Sequence, residues 1–216
     1  MKAQSKKAVA SSRPAHQVRL IGGVWKRTPL TVITAEGLRP TPDRVRETVF
    51  NWLNHLCDAN WQGLRCLDLF AGSGALGFEA ASRGAAHVTM VEFHTPAFRQ
   101  LEQVRQKLGA DQTELIRGDA LTVVSGMVAR QQRFDLIFLD PPFNQGVLQK
   151  ILPSCAKLLS ARGLLYVEAE QALTPDFMLE EAFAGWDVIR ADKAGSVYFH
   201  ILQRNILAHE APEIKA

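Results

Sequence analysis

The chain has 216 residues, 47% of them hydrophobic and 22% charged, a balance that suits one compact domain with an appendage better than two separate cores. No apolar run reaches the length of a bilayer span, and the basic, polar N-terminus lacks the hydrophobic stretch of a secretion signal, so we expect a cytoplasmic protein without a membrane partner. The net charge of +3 conceals an asymmetry, because Met1 to Leu56 holds ten Lys or Arg against three Asp or Glu. A basic arm on a mildly acidic body suits a polyanionic partner. Cys57, Cys66 and Cys155 are scattered without metal-ligand spacing and the histidines do not pair, so we expect reduced thiols and no metal.

In chain order, residues 1–16 are small, polar and basic without periodicity and are expected to be a disordered tail. Residues 17–57 form an expected nucleic-acid-binding extension. Within it, Gln17 to Ile33 alternates apolar and basic residues around Gly22-Gly23, the pattern of a short hairpin with Arg19, Lys26 and Arg27 pointing outward. Thr41-Pro42-Asp43 then reads as a helix start, with Thr41 as N-cap and Pro42 in the first helical position. Val45, Val49, Trp52, Leu53 and Leu56 make one apolar stripe, and Arg39, Arg44 and Arg46 cluster at the N-terminal end of that helix.

From residue 58 to 204 the pattern alternates. Strands are expected at Leu64 to Phe70, His87 to Glu92, Thr113 to Arg117, Phe134 to Leu139 and Gly163 to Glu168. Helices are expected at Ala75 to Arg83, Thr95 to Lys107, Ala120 to Gln131 and about Gly146 to Leu159, with a short one opening at Thr174-Pro175-Asp176. Trp186 to Ala191 and Ser196 to Leu202 read as a closing hairpin, and 205–216 as a frayed tail. Strand-helix alternation with short connections implies an α/β fold with a mostly parallel sheet covered on both faces.

Two stretches carry chemistry. Leu67-Asp68-Leu69-Phe70-Ala71-Gly72-Ser73-Gly74-Ala75 joins the first sheet strand to its helix, where glycines admit a ligand close to the backbone and the helix start offers free N–H groups. Glu92 closes the next strand, where an acid takes ribose hydroxyls. Asp119-Ala120 follows the third, where a carboxylate and a backbone amide can read an adenine edge. Asp68 before the glycines repels a pyrophosphate but suits the ammonium group of an amino acid. Adenosine joined to an amino acid is S-adenosylmethionine. The second stretch, Asp140-Pro141-Pro142-Phe143, ends an apolar strand in a rigid loop that presents an acid beside an aromatic ring, suited to a flat, amine-bearing group. A strand end capped by a proline turn, with Phe143 in the core, is the other reading of this tetrapeptide.

LDLFAGSG with Glu92, Asp119 and DPPF resembles the class I S-adenosylmethionine-dependent methyltransferases, which have a Rossmann-like fold. More narrowly, RLIGGVWKRTPL, RPTPDRVRETVFNWL, LDLFAGSGALGFEAASRGA, LDPPF and KAGSVYF look like the bacterial RsmD family. The resemblance implies a seven-stranded, mostly parallel sheet and methyl transfer to the N2 amine of a single guanine in 16S ribosomal RNA. The substrate is expected within the small subunit or an assembly intermediate, and the enzyme is expected to be a monomer. It further implies that Asp140, Pro141, Pro142 and Phe143 hold the guanine. Asp68, Phe70, Ala71, Gly72, Gly74, Glu92, Asp119 and Ala120 would hold the cofactor, and Arg19, Lys26, Arg27, Arg39, Arg44 and Arg46 the RNA. Adenine-N6 DNA and glutamine-N5 protein methyltransferases share the acid-Pro-Pro-aromatic signature. A nicotinamide-dependent oxidoreductase and a non-catalytic RNA-binding assembly factor are the readings outside methyl transfer.

Overall fold

The computed structural model describes residues 17–32, 41–142, 146–174, 178 and 181–205. Its centre is a seven-stranded sheet built from β3 (Arg65–Asp68), β4 (His87–Glu92), β5 (Thr113–Arg117), β6 (Phe134–Leu139), β7 (Leu159–Ala169), β8 (Trp186–Ala194) and β9 (Val197–Arg204). The strand order is β5-β4-β3-β6-β7-β9-β8. The five strands from β5 to β7 run parallel, and β9 and β8 join antiparallel. The chain starts in the middle at β3, winds outward to β5, then returns to lay β6 on the other side of β3. That reversal opens a crevice at the carboxyl ends of β3 and β6, where open α/β sheets bind ligands.

Both faces of the sheet are covered because its strands are apolar on both sides. Cys66, Met90, Phe138 and Tyr166 share one core with α1 (Asp43–Leu56), α2 (Ala75–Ser82) and α3 (Thr95–Leu108). Leu67, Val91, Ile137 and Val167 share the other with α4 (Ala120–Ala129) and α5 (Val147–Leu158). The sheet is thereby doubly wound, and its class is the Rossmann-like one expected. Strand β7 starts earlier than expected because α5 runs straight into it, and Leu159 pairs with Phe134 before the register shifts at Leu136. The short helix expected at Thr174-Pro175-Asp176 falls largely outside the described residues, as do both expected tails except Asn205.

The N-terminal hairpin, β1 (Gln17–Arg19) with β2 (Pro29–Thr31), is antiparallel as expected. It does not stand away from the body. Val18, Leu20, Leu30 and Val32 enter the same core as α1 and α2. The buried Glu79 carboxylate of α2 accepts the N–H groups of Ile21 (2.6 Å) and Gly22 (2.8 Å) and the Nε–H of Arg83 (2.8 Å). Ser82 adds a bond from its hydroxyl to the Gly22 carbonyl at 2.6 Å and accepts the Trp25 N–H at 2.9 Å. Gly23, at φ +72, lies against the Ser82 carbonyl, so a Cβ there would meet backbone. Gly23 is therefore the hairpin's seat on α2, where only a bare backbone fits, whereas a Cβ on Gly22 would press on the flexible end of Arg83.

Helix α1 also differs from its expected start. Pro42, not Thr41, is the N-cap, and no side chain caps the helix. Phe50 is buried between Trp61 and Phe138, with ring centroids 5.8 and 5.9 Å away. Arg46 lies on this same inner face and is fully buried. It donates from Nη2 to Asp43 at 2.6 Å.

Candidate active site

At the carboxyl end of β3 the chain turns through Gly72 (φ +51) and Gly74 (φ +78) into α2. Both angles lie in the left-handed region that glycine enters without strain. At Gly74 a Cβ would also sit 2.5 Å from the Phe78 ring. The loop is held from two sides by acids. Asp68, buried beneath it, accepts the Gly77 N–H at 3.0 Å and the Phe70 N–H at 3.4 Å. Glu92, at the end of β4, accepts the Gly72 N–H at 2.7 Å and the His94 N–H at 2.6 Å. Asp119 caps α4, accepting from both the backbone and the hydroxyl of Thr122 at 2.9 Å.

These elements wall a cavity of about 480 Å³. Phe70, Ala71, Gly72, Glu92, Asp119 and Ala120 line one end, and Asp140 and Pro142 line the other. Of the expected cofactor residues, Asp68 and Gly74 are not on the wall, and Pro141 of the acceptor motif is buried behind it. The expectation that Asp68 meets an ammonium group is corrected accordingly: its carboxylate shapes the loop from below. Burial pushes its carboxyl up to about 7; the Gly77 and Phe70 N–H bonds pull it back, and the charge of Glu92 raises it further.

Among the other wall residues, Phe93, His94 and Lys150 were given no role from the sequence and Thr41 was read only as a helix cap. Phe93 follows Glu92 and is 75% exposed, a large apolar side chain beside the strand-end acid. His94 also lines the cavity, and its buried Nδ1 has no hydrogen-bond partner among the described residues. Lys150 of α5 brings a cation to the wall, and Thr41 stands beside Asp140. An exposed aromatic directly after a strand-end acid was a readable signal for Phe93.

The acceptor end is electrostatically unlike the glycine end. The Thr41 hydroxyl lies 2.6 Å from Glu168 Oε1 and 3.3 Å from Asp140 Oδ2. The Tyr166 hydroxyl donates to the same Glu168 oxygen at 2.8 Å. Glu168 was read only as the end of a strand. The signal it carried is the one used for Asp68 and Glu92, an acid closing an apolar strand on the binding edge of the sheet. Its neighbourhood alters Asp140. Burial pushes the Asp140 carboxyl well up, the charges of Glu168 and Asp68 add to the rise, and the Thr41 hydroxyl works against it. Burial raises Glu168 as well, against the hydroxyls of Thr41 and Tyr166.

Of the basic residues expected at RNA, Arg19, Lys26, Arg27 and Arg44 are exposed. Arg19 pairs with Asp43 at 3.5 Å, an open contact worth little against solvent. Arg46 is corrected: a guanidinium sealed against Asp43 and the core cannot touch a phosphate. Arg39 and Phe143 lie outside the described residues. Val32, the last described residue of the hairpin segment, also lines the cavity, so the basic hairpin abuts its rim.

The family described as "Conserved hypothetical protein 95" matches residues 18–203. A Haemophilus influenzae protein named "Ribosomal RNA small subunit methyltransferase D" is 35% identical, over 91% of this chain and 99% of its own length. The Escherichia coli protein of the same name is 38% identical over 87% of this chain and 90% of its own. A solved chain named "Putative methyltransferase yhhF", from Escherichia coli, superposes with a TM-score of 0.72 at 34% identity, covering 88% of this chain and 98% of that one. With the glycine loop, the strand-end acids and the Asp-Pro-Pro corner all around one cavity, and with matches that run nearly end to end, the chain belongs to this family, the RsmD family of S-adenosylmethionine-dependent methyltransferases.

Proposed function

We propose that this protein transfers a methyl group from S-adenosylmethionine to the exocyclic N2 of one guanine in 16S ribosomal RNA, acting on the small subunit or an assembly intermediate. The observation that carries this reading is the single cavity that joins the glycine loop to Asp140. A donor and an acceptor held at its two ends meet inside it.

The residues present fit the donor. A volume of about 480 Å³ is in the range of pockets that enclose small ligands. Glu92 and Asp119 each keep acceptor capacity beyond their backbone bonds, suited to ribose hydroxyls and an adenine amine. The Phe93 ring offers a stacking face, and the orphaned His94 Nδ1 is a polar atom awaiting a partner. When bound, S-adenosylmethionine supplies an electrophilic methyl group on a sulfonium.

The chain's own work is on the acceptor. An exocyclic guanine amine is a poor nucleophile because its lone pair is delocalised into the ring. Hydrogen bonding from it to the Asp140 carboxylate favours a pyramidal nitrogen, and in-line approach then depends chiefly on positioning. The base must leave its stack to reach Asp140, at a cost of a few kcal/mol, against which stacking on Phe143 contributes roughly 1–3 kcal/mol. Arg19, Lys26, Arg27 and Arg44 supply cations for the flanking phosphates.

The test is methyl transfer from labelled donor to 16S RNA and small subunits from cells lacking this protein, with duplex DNA and ribosomal protein as parallel acceptors. Mass mapping is expected to place the label on N2 of one guanine. Label on a DNA adenine or on protein would overturn the reading.

A further inference from the structure

The segment preceding α1 brings a hydroxyl from the N-terminal part of the chain into a site otherwise built by the sheet. Thr41 is 99 residues from Asp140 and 127 from Glu168 in sequence, yet it touches both and is itself buried. A threonine hydroxyl has one proton and can donate to one carboxylate at a time. The second contact requires a proton on the other carboxyl, since two ionised carboxylates cannot share one hydroxyl proton without leaving two oxygens in repulsion.

We propose that Thr41 and Glu168 are positioning residues of the acceptor end, joining Asp140 to Glu168 as one proton-sharing unit that takes up the proton lost by the methylated nitrogen. The proposal deepens the function given above and rests on its placement of the acceptor amine at Asp140. Two hydrogen-bond polarities satisfy every group. In one, Glu168 holds the proton and donates to Thr41, which donates to Asp140; the ionised Asp140 then accepts from the amine. In the other, Asp140 holds the proton and donates to Thr41, which donates to an ionised Glu168. As the nitrogen lone pair enters the new N–C bond, the methyl carbon's bond to the donor sulfur breaks and its electron pair stays on sulfur; an N–H bond breaks and its electron pair returns to nitrogen. The proton forms an O–H bond on Asp140. A concerted shift along the hydroxyl interconverts the two polarities before transfer; once Asp140 has taken the amine proton both carboxyls are protonated, and one proton passes to water when the product leaves.

The groups facing this unit set its charge. Tyr166 of β7 donates to Glu168 at 2.8 Å, favouring the ionised form of that acid. Arg46 of α1 adds a buried positive charge whose Nη2 is held by Asp43 but whose Nε and Nη1 have no partner among the described residues. Its field favours the ionised form of Tyr166, against Glu168 and Asp140, whose charges oppose it. Asp68 of β3 adds a further like charge on the Asp140 side.

The test compares the pH dependence of single-turnover methyl transfer in the natural protein and in Glu168→Gln, Thr41→Val and Thr41→Ser. Transfer needs an ionised Asp140, so the rate falls as pH drops through the limb set by the pair. Removing the second carboxyl in Glu168→Gln is expected to move that limb down by about one pH unit or more. Thr41→Val is expected to lower the single-turnover rate by roughly 10²-fold with donor and RNA affinity unchanged, and Thr41→Ser to restore it. An unmoved limb together with equal rates for the valine and serine variants would overturn the proposal. Infrared titration of the protein without RNA provides a second readout that also covers a variant that fails to fold. In an Asp68→Asn background, which removes the other raised carboxyl, a protonated-carboxyl band is expected to persist above the pH at which ordinary Asp and Glu ionise, and to titrate at lower pH when Glu168→Gln is added. Absence of that band from the Asp68→Asn protein overturns the proposal whatever the substrate. Failure of the natural protein to methylate a guanine, with the band present, would count against the function alone.

Discussion

The two ends of the cavity use the same residue type in opposite ways. At the glycine end, Asp68, Glu92 and Asp119 are each bonded to backbone N–H groups, and those bonds fix the loop and the starts of the following elements. At the acceptor end, Asp140 and Glu168 have no backbone donors of this kind among the described residues and meet across one hydroxyl. A carboxylate that accepts backbone N–H bonds builds a shape that does not depend on a second acid. Two carboxyls on one hydroxyl make a shape that depends on where a proton sits. The donor end is therefore a mould and the acceptor end a titrating device.

The contrast can be broken first at Glu92. Glu92→Ala removes an acceptor from both the Gly72 and His94 N–H groups, and charge-assisted bonds of this kind contribute about 1.5–3 kcal/mol. Donor affinity measured by calorimetry is expected to fall by about 10- to 100-fold. Unchanged affinity would mean that the loop holds its form without the acid.

A smaller effect separates the ends by pH. Asp68 is raised from 3.8 to about 7 in the folded protein, so its protonated form is favoured by folding. The stability it contributes is fully present below the ordinary carboxylate range and is lost as pH rises through about 7. Asp68→Asn keeps an oxygen for the Gly77 N–H and cannot ionise. Melting temperatures measured from pH 4 to 8 are expected to fall less steeply with rising pH in the variant than in the natural protein, by up to ~1.4 kcal/mol of stability per pH unit. Parallel curves would place Asp68 in a wetter setting than its burial indicates.

Much of this fold was legible because its interior strands are apolar on both faces. His87–Glu92, Thr113–Arg117 and Phe134–Leu139 have the expected bounds, and the acids at Glu92, Asp119 and Asp140 stand at the cavity. What was not legible depends on contacts distant in sequence. Thr41 has the composition of a helix cap, and its hydroxyl is instead drawn to two acids more than ninety residues away. Arg46 stands beside exposed Arg44 in the sequence, but the helical turn places it on the face that packs against the sheet, with Val45, Val49 and Phe50. Glu168 was passed over because the acceptor site was read from one tetrapeptide alone, whereas the cluster around Asp140 draws on β6, β7 and the approach to α1.

The central claim is that donor and acceptor are held by separate ends of one cavity. Asp140→Ala tests it most directly, with donor affinity and methyl transfer to small-subunit RNA measured on the same preparation. The account predicts donor affinity within about twofold of the natural protein and a loss of transfer of at least roughly 10³-fold, the scale of positioning together with proton acceptance. Retained transfer, or a donor that no longer binds, would contradict it.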